Sequence, residues 1–320
     1  MRRRDFINTV ATGGLAWSLP LHARASWESA AGDQTGTTPA SGGLFVCIHQ
    51  ASTSRYDFKA SVEGIAKAGV RAVEVDIAKV RQFSQTESVA TAKRLMEDLG
   101  VKPVSSSNHL GFVDATAAQL QSGPASLDAL EEKLEIVRAI GCDRIVCPST
   151  STGNKTLDDY KRGVENMRAG GELAKSYGVT LMLEFTKTST LAGTLPSALK
   201  IVREADHPNV RVMLDTFHFW AGFSKFEDLE LLRDAELAHL HFEDIPSEPP
   251  REMIESQRHR TFPGDGSAPL RRIIEVLRRK RYSGPASLEI FQSGTVAIQN
   301  MDPFQLATRA KAAIEPLIAA

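Results

Sequence analysis

The chain has 320 residues, 42% of them hydrophobic and 24% charged, an ordinary composition for a soluble globular protein. A net charge of −1 gives no electrostatic reason to expect nucleic acid or an anionic membrane as a partner, since both need a basic face. Three cysteines, Cys47, Cys142 and Cys147, make neither a disulfide framework nor a cluster with zinc-finger spacing.

In chain order, Arg2, Arg3 and Arg4 precede Asp5, Phe6 and Ile7, and a mildly apolar stretch then runs to Leu21. Ala23-Arg24-Ala25 follows, with small residues where a signal peptidase needs them. A basic start, a short apolar region and an A-x-A site predict a secretory signal over residues 1–25. The RRDFI run resembles the twin-arginine export signal, so the expected location is periplasmic or extracellular. The stretch is too short and too rich in Gly, Ser and Thr to span a bilayer as a helix. Residues 26–43, rich in Gly, Ser, Thr and Ala, read as a flexible linker. No comparable break appears later, so residues 44–320 are expected to form a single domain.

Within that domain, apolar strand-like runs recur: LFVCI (44–48), AVEVDI (72–77), VKPVSSS (101–107), RIVCP (144–148), VTLMLEF (179–185), VRVMLDTF (210–217), LAHLHF (237–242) and ASLEIF (286–291). Helical stretches lie between them. Leu127, Leu130, Leu134 and Val137 recur at helical spacing before Gly141, which stands where a left-handed cap belongs. Leu270, Ile273, Ile274 and Leu277 repeat the pattern before the last strand, and the RRKR run at 278–281 complements the dipole at that helix's end. Near-continuous apolar strands alternating with amphipathic helices imply a parallel sheet covered by helices. Eight such units predict an α/β fold of the closed (β/α)₈ TIM-barrel type. An open doubly wound sheet is the alternative, but no glycine-rich phosphate loop follows the first strand.

In such a barrel the chemistry sits at the C-terminal strand ends. The fifth run carries Glu184, the sixth Asp215 and then His218, the seventh His239, His241, Glu243 and Asp244, and the eighth Glu289. Alone, each has a bland reading as a helix cap or a hydrogen-bonded core residue. Together, three carboxylates converging on one opening repel one another and raise each other's pKa. A divalent cation removes that cost, and an imidazole adds a nitrogen ligand. Glu184, Asp215, His241 and Glu289 are therefore the expected ligands of one divalent metal (Mn, Mg, Co or Zn), with positions left open for substrate or water. His239 and His241 share a strand face, and His241 lies nearer the mouth, so His239 is expected to be a core or supporting residue.

The ordered series LEF (183–185), LDTFH (214–218), HLHFED (239–244), RTFPGDG (260–266) and YSGPASLEIF (282–291) resembles the sugar phosphate isomerase/epimerase superfamily with the xylose-isomerase-like barrel. The resemblance covers residues 44 to about 318. That superfamily includes ketose 3-epimerases, hydroxypyruvate isomerase, dehydratases and isomerases of inositol catabolism, and AP endonucleases of the endonuclease IV type. The resemblance implies that Glu184, Asp215, His241 and Glu289 bind metal and that Glu184 and Glu289 also act as acid and base on either side of a sugar. It implies that His218 and Arg260 hold substrate oxygens. The endonuclease branch needs further ligands before the glycine turn, where Arg258 and Arg260 stand here, so one metal is expected. Members of the superfamily often pair through barrel helices; a homo-oligomer is compatible with that, and no dimer motif stands out.

The implied reaction is a metal-dependent sugar isomerisation or epimerisation, by proton removal beside a carbonyl to an enediolate. The expected partner is a small-molecule carbohydrate. The first alternative is a lyase or dehydratase on a keto-sugar or 3-keto-glycoside, which suits an exported protein because phosphorylated sugars are scarce outside the cytoplasm. The second is a non-catalytic sugar-binding protein. Glu74, His109, His49 and Gln50, and more faintly Lys187, are further candidates for contacts to sugar hydroxyls.

Overall fold

The computed structural model describes residues 43–319. The expected export signal (1–25) and all but the last residue of the expected linker (26–43) lie outside the described residues. Eight strands close into one parallel barrel in sequence order: β1 (Phe45–His49), β2 (Ala72–Asp76), β3 (Lys102–Ser107), β4 (Arg144–Pro148), β5 (Thr180–Glu184), β6 (Val210–Asp215), β7 (Leu237–His241) and β8 (Pro285–Leu288). Closure comes from β8 pairing β1, with Phe45 opposite Pro285 and Ile48 opposite Leu288.

The helices begin and end where local chemistry dictates. Thr156 accepts from the Asp159 backbone N–H while Asp159 reaches back, a reciprocal cap that starts the helix Leu157–Tyr177. Ser126 caps the helix Leu127–Ala139, and Gly141 follows it at φ +83°, a conformation that costs glycine nothing. The apolar faces of these helices pack on the outer faces of the strands, forming one continuous core that runs from Ile48 to Ile318. Inside the barrel, Val146, Met182 and Met213 form a separate apolar layer beside Ala238. Among the described residues no helix is long and apolar enough to cross a membrane.

Two register irregularities matter for the site. Between β6 and β7, Val212 pairs Leu237 but Met213 pairs His239, so Ala238 is an extra residue. Between β2 and β3, Val73 pairs Pro103 but Glu74 pairs Ser105, so Val104 is extra. Because side chains alternate along a strand, one extra residue reverses which face the following residues present. Val212 lies with Leu237 in the outer core, whereas Met213 belongs to the inner layer. The bulge at Ala238 thus turns His239 and His241 into the barrel.

Five strands end before their apolar runs do, β6 and β8 by the most. β6 stops at Asp215, and Thr216–Ala221 is a short helix that carries His218. Asp215 Oδ1 accepts from the His218 backbone N–H at 2.9 Å, so the aspartate ends the strand and caps the helix at once. β8 stops at Leu288, which leaves Glu289 just beyond it.

Candidate metal centre

Glu184, Asp215 and His241 are the last residues of β5, β6 and β7, and Glu289 follows β8 by one position. Each offers one ligand atom, and all four atoms lie within 4.8 Å of one another. His241 Nδ1 is the hub, 3.4 Å from Glu184 Oε1, 3.6 Å from Asp215 Oδ2 and 3.3 Å from Glu289 Oε2. All four side chains are buried. Neither His241 Nδ1 nor Glu184 Oε1 makes a hydrogen bond among the described residues. Buried polar atoms without a partner are costly, and here they converge with two more carboxylates on one point. Three oxygens and one nitrogen in that arrangement fit a divalent cation.

The charges respond to this crowding. Burial raises the Glu184 carboxyl to about 7, helped by the neighbouring Glu289 and Asp215. Burial also opposes ionisation of Glu289, but His241, Arg260 and His49 outweigh it and hold that carboxyl at about 2. Asp215 is likewise held well below the carboxylate range by Arg260 and His218 against its burial. His241 is raised well above an ordinary imidazole: its burial is overcome by Glu74 and Glu289. In the metal-free protein, then, His241 near neutrality and Glu184 below about pH 7 hold protons that a bound cation would displace.

The hydrogen bonds decide which nitrogen each imidazole presents. The Ala51 backbone N–H donates to His49 Nδ1 at 2.9 Å, and the Lys187 backbone N–H donates to His218 Nδ1 at 3.0 Å. Both rings must therefore carry a proton on Nε2 and act there as donors. His49 Nε2 lies 3.5 Å from Glu289 Oε1, and His218 Nε2 lies 3.9 Å from Asp215 Oδ2. Burial lowers His218 to about 4, so it stays a neutral donor near pH 7. His241 is the reverse case. Its Nε2 is 3.1 Å from Glu74, and its Nδ1 faces the carboxylates.

Several expectations need correction. Glu74 is not a wall residue of the mouth: it lies fully buried inside the barrel, below the four ligand atoms, with both oxygens engaged by protein groups. Arg260 does not present free donors to a substrate. Its Nε donates to Ser256 O, Nη1 faces Glu243 Oε1 and Glu289 Oε2 at 2.9 and 3.1 Å, and Nη2 donates to Asp215 Oδ2 and Ser256 Oγ at 2.9 and 3.0 Å. The guanidinium is sandwiched by the Phe217 and Phe291 rings, 4.8 and 4.9 Å from their centroids. It clamps carboxylates.

Gln50 is also structural: its Oε1 accepts from Asp76 N and its Nε2 donates to Ser61. Lys187 Nζ is committed to the carbonyls of Arg251 and Ile254, tying the loop after β5 to the loop after β7. His109 lies buried against Phe112, with neither ring nitrogen hydrogen-bonded among the described residues. Arg258 is exposed beside Glu255, away from the ligand set. His239, as expected, is a fully buried supporting residue, 2.7 Å from Glu74.

One participant had been given no role. Glu243 Oε1 accepts from the Phe217 backbone N–H and faces Arg260, and burial together with Asp215 raises its carboxyl well above the usual range. The available signal was its place two residues past His241, which shares that residue's parity along the chain. Asp244 instead holds the glycine turn, accepting from the backbone N–H groups of Gly264 and Ala268.

Residues 62–315 match the family model of the xylose isomerase-like TIM barrel. The chain is similar to inosose isomerase of Halalkalibacterium halodurans, at 25% identity over 77% of this chain and 88% of that protein. It is also similar to 3-dehydroshikimate dehydratase of Pseudomonas putida, at 28% identity over 73% of this chain; the match spans only 36% of that longer protein. Among solved structures it resembles the IOLI protein with a bound zinc atom, with a TM-score of 0.78 and 21% identity over 87% of this chain and 98% of that one.

Proposed function

The chain belongs to the xylose isomerase-like TIM barrel family, and from that premise we propose that it is a divalent-metal-dependent isomerase or epimerase of a keto-sugar or a related cyclic polyol. The observation that carries the proposal is the set Glu184, Asp215, His241 and Glu289, with four ligand atoms within 4.8 Å at the barrel mouth. These four residues would hold the cation. When bound, the metal would polarise the substrate carbonyl and so acidify the adjacent C–H bond. The zinc atom in the similar solved structure and the isomerase among the relatives support this reading.

The protein's own groups supply the proton transfers. Glu289, held by His49 on one oxygen and by Arg260 on the other, is the base that takes the carbon-bound proton. Glu184 faces it across His241 Nδ1 and delivers a proton drawn from solvent to the intermediate, while Glu289 releases the one it took to solvent. Return to the opposite face gives an epimer, and return to the neighbouring carbon gives the aldose–ketose isomer. The His218 Nε2–H, neutral and fixed in direction by the Lys187 amide, donates to a substrate oxygen as charge builds there. The arginine run and the Ala23-Arg24-Ala25 site support an exported protein meeting an unphosphorylated substrate.

A dehydratase is the second reading, favoured by the similarity to 3-dehydroshikimate dehydratase. It shares the first proton removal and differs in losing a group from the next carbon. Proton NMR in D₂O separates the two, using zinc- or manganese-loaded protein with a panel of ketoses, inososes and 3-keto-glycosides. Deuterium incorporation into an intact skeleton is expected. Loss of water or of an aglycone selects the lyase. A protein that binds no divalent metal, and exchanges no proton in any of them, would end both readings.

A further inference from the structure

Below the four ligand atoms lies a second buried group, His49, Glu74 and His241, whose ligand atoms also fall within 4.8 Å of one another. Taken by residue type, it is a second cation site that shares His241. The hydrogen bonds exclude that role. An ionised carboxylate offers about four lone-pair sites. Glu74 Oε2 accepts from His239 Nε2 at 2.7 Å, Ser287 Oγ at 2.9 Å and His241 Nε2 at 3.1 Å, and its Oε1 accepts from Ser105 Oγ at 3.0 Å. All four are used. His49 is no ligand either, since the Ala51 amide occupies its Nδ1 and leaves an N–H, not a lone pair, directed at Glu74 and Glu289.

We propose that Glu74 is the positioning residue of the metal centre, accepting the proton of His241 Nε2 so that Nδ1 is the atom turned toward Glu184, Asp215 and Glu289. This rests on the reading that those residues bind a metal. A carboxylate behind a ligating histidine fixes the ring orientation and makes the other nitrogen a better donor; loss of such a partner typically weakens metal binding 10- to 100-fold. The fold goes to some length to build this arrangement. The bulge at Val104 brings Ser105 opposite Glu74, and the bulge at Ala238 turns both histidines of β7 toward it. Glu74 contacts His241 on the side away from the mouth and so acts through it, not on substrate.

The test is a zinc titration of the full chain with chelator competition, comparing wild type, Glu74→Gln and His239→Gln. Wild type is expected to bind one zinc per chain. Glu74→Gln keeps the shape and an acceptor oxygen but loses the charge, and its zinc affinity should fall by about 10- to 100-fold. His239→Gln perturbs the same buried network without touching a ligand, so it should lower thermal stability while keeping wild-type zinc affinity. Equal losses of affinity in the two variants would mean a structural role and would overturn the proposal, as would wild-type affinity in Glu74→Gln. Two zincs per chain, one of them lost in Glu74→Gln, would establish the second cation site instead. Should Glu74→Gln fail to fold, nitrogen-15 spectra of the zinc-loaded wild type decide: the His241 ring proton is expected on Nε2, and a proton on Nδ1 overturns the assignment. Absence of any metal binding by wild type removes the proposed function as well; tight binding by both wild type and Glu74→Gln removes this inference alone.

Discussion

Replacing Arg260 by methionine distinguishes a residue that serves substrate from one that serves the protein's own carboxylates. The guanidinium is fully buried, 2.9 Å from Asp215, 2.9 Å from Glu243 and 3.1 Å from Glu289. Methionine fills much of the same space between Phe217 and Phe291, so the packing loss is small and the change is mainly electrostatic. Removing one partner of a buried ion pair costs about 3–5 kcal/mol, because the remaining charge keeps its desolvation penalty. For a domain of this size that is a fall in Tm of roughly 6–10 °C, at about 2 °C per kcal/mol. The loss should appear in thermal or urea denaturation with a chelator present. Added zinc or manganese supplies positive charge to the same oxygens, so metal should stabilise Arg260→Met more than wild type. If the metal-free variant stays within about 1 kcal/mol of wild type and only KM rises, Arg260 binds substrate and the clamp is refuted.

Three further outcomes follow from the same geometry. Glu289→Gln should lower solvent deuterium incorporation by about 10²- to 10⁴-fold, the range for loss of a general base, and retained exchange in D₂O contradicts that role. Zinc affinity should weaken on acidification, because the cation competes with the proton on His241 at every pH near neutrality and, below about 7, also with the proton on Glu184. Each displaced proton contributes roughly tenfold per pH unit, so chelator competition at several pH values should show a slope that steepens on the acid side; a flat profile is the contrary result. Deleting Ala238 closes the bulge yet leaves Leu237 opposite Val212 and His239 opposite Met213, so both histidines keep their inward face and a folded deletion variant should retain zinc binding. Loss of zinc binding in a folded deletion variant would show that the bulge sets more than the direction of these side chains.

The barrel and its four candidate ligands were legible for one physical reason. Parallel strands buried on both faces are apolar nearly throughout, so Glu184, Asp215, His241 and Glu289 stand out at the ends of runs that are otherwise largely apolar. The same logic misled at Glu74. In AVEVD it looks like one more polar interruption near a strand end, yet Glu74 is mid-strand and its neighbours Ser105, His239 and Ser287 come from three other strands. No local pattern carries that information. The bulges at Val104 and Ala238 exist only as pairings between strands, so neither leaves a mark in the composition of its own strand. Arg260 was legible as a site residue but not as a clamp, since its role depends on Glu243 reaching it from the loop after β7 and Asp215 from the end of β6.

With Glu184 ionised, the interior of the mouth holds four carboxylates, Glu74, Glu184, Asp215 and Glu289, against two cations, Arg260 and protonated His241. Arginine cannot supply more than one charge, and each unbalanced buried charge costs several kcal/mol. The metal-free protein relieves this imbalance by keeping protons on Glu243, raised well above the carboxylate range, on Glu184, raised to about 7, and on His241, raised well above the imidazole range. Glu184 and His241 belong to the candidate ligand set and hold those protons at the point where the ligand atoms converge. His218, lowered to about 4 by burial, does not share the task, and the Lys187 amide fixes it as a donor. A site built only to hold sugar hydroxyls has no need to bury this much negative charge around one exchangeable position. On the proposed reading, a divalent cation would take the place of those two protons at the same total charge and leave Glu289 ionised beside it as the base.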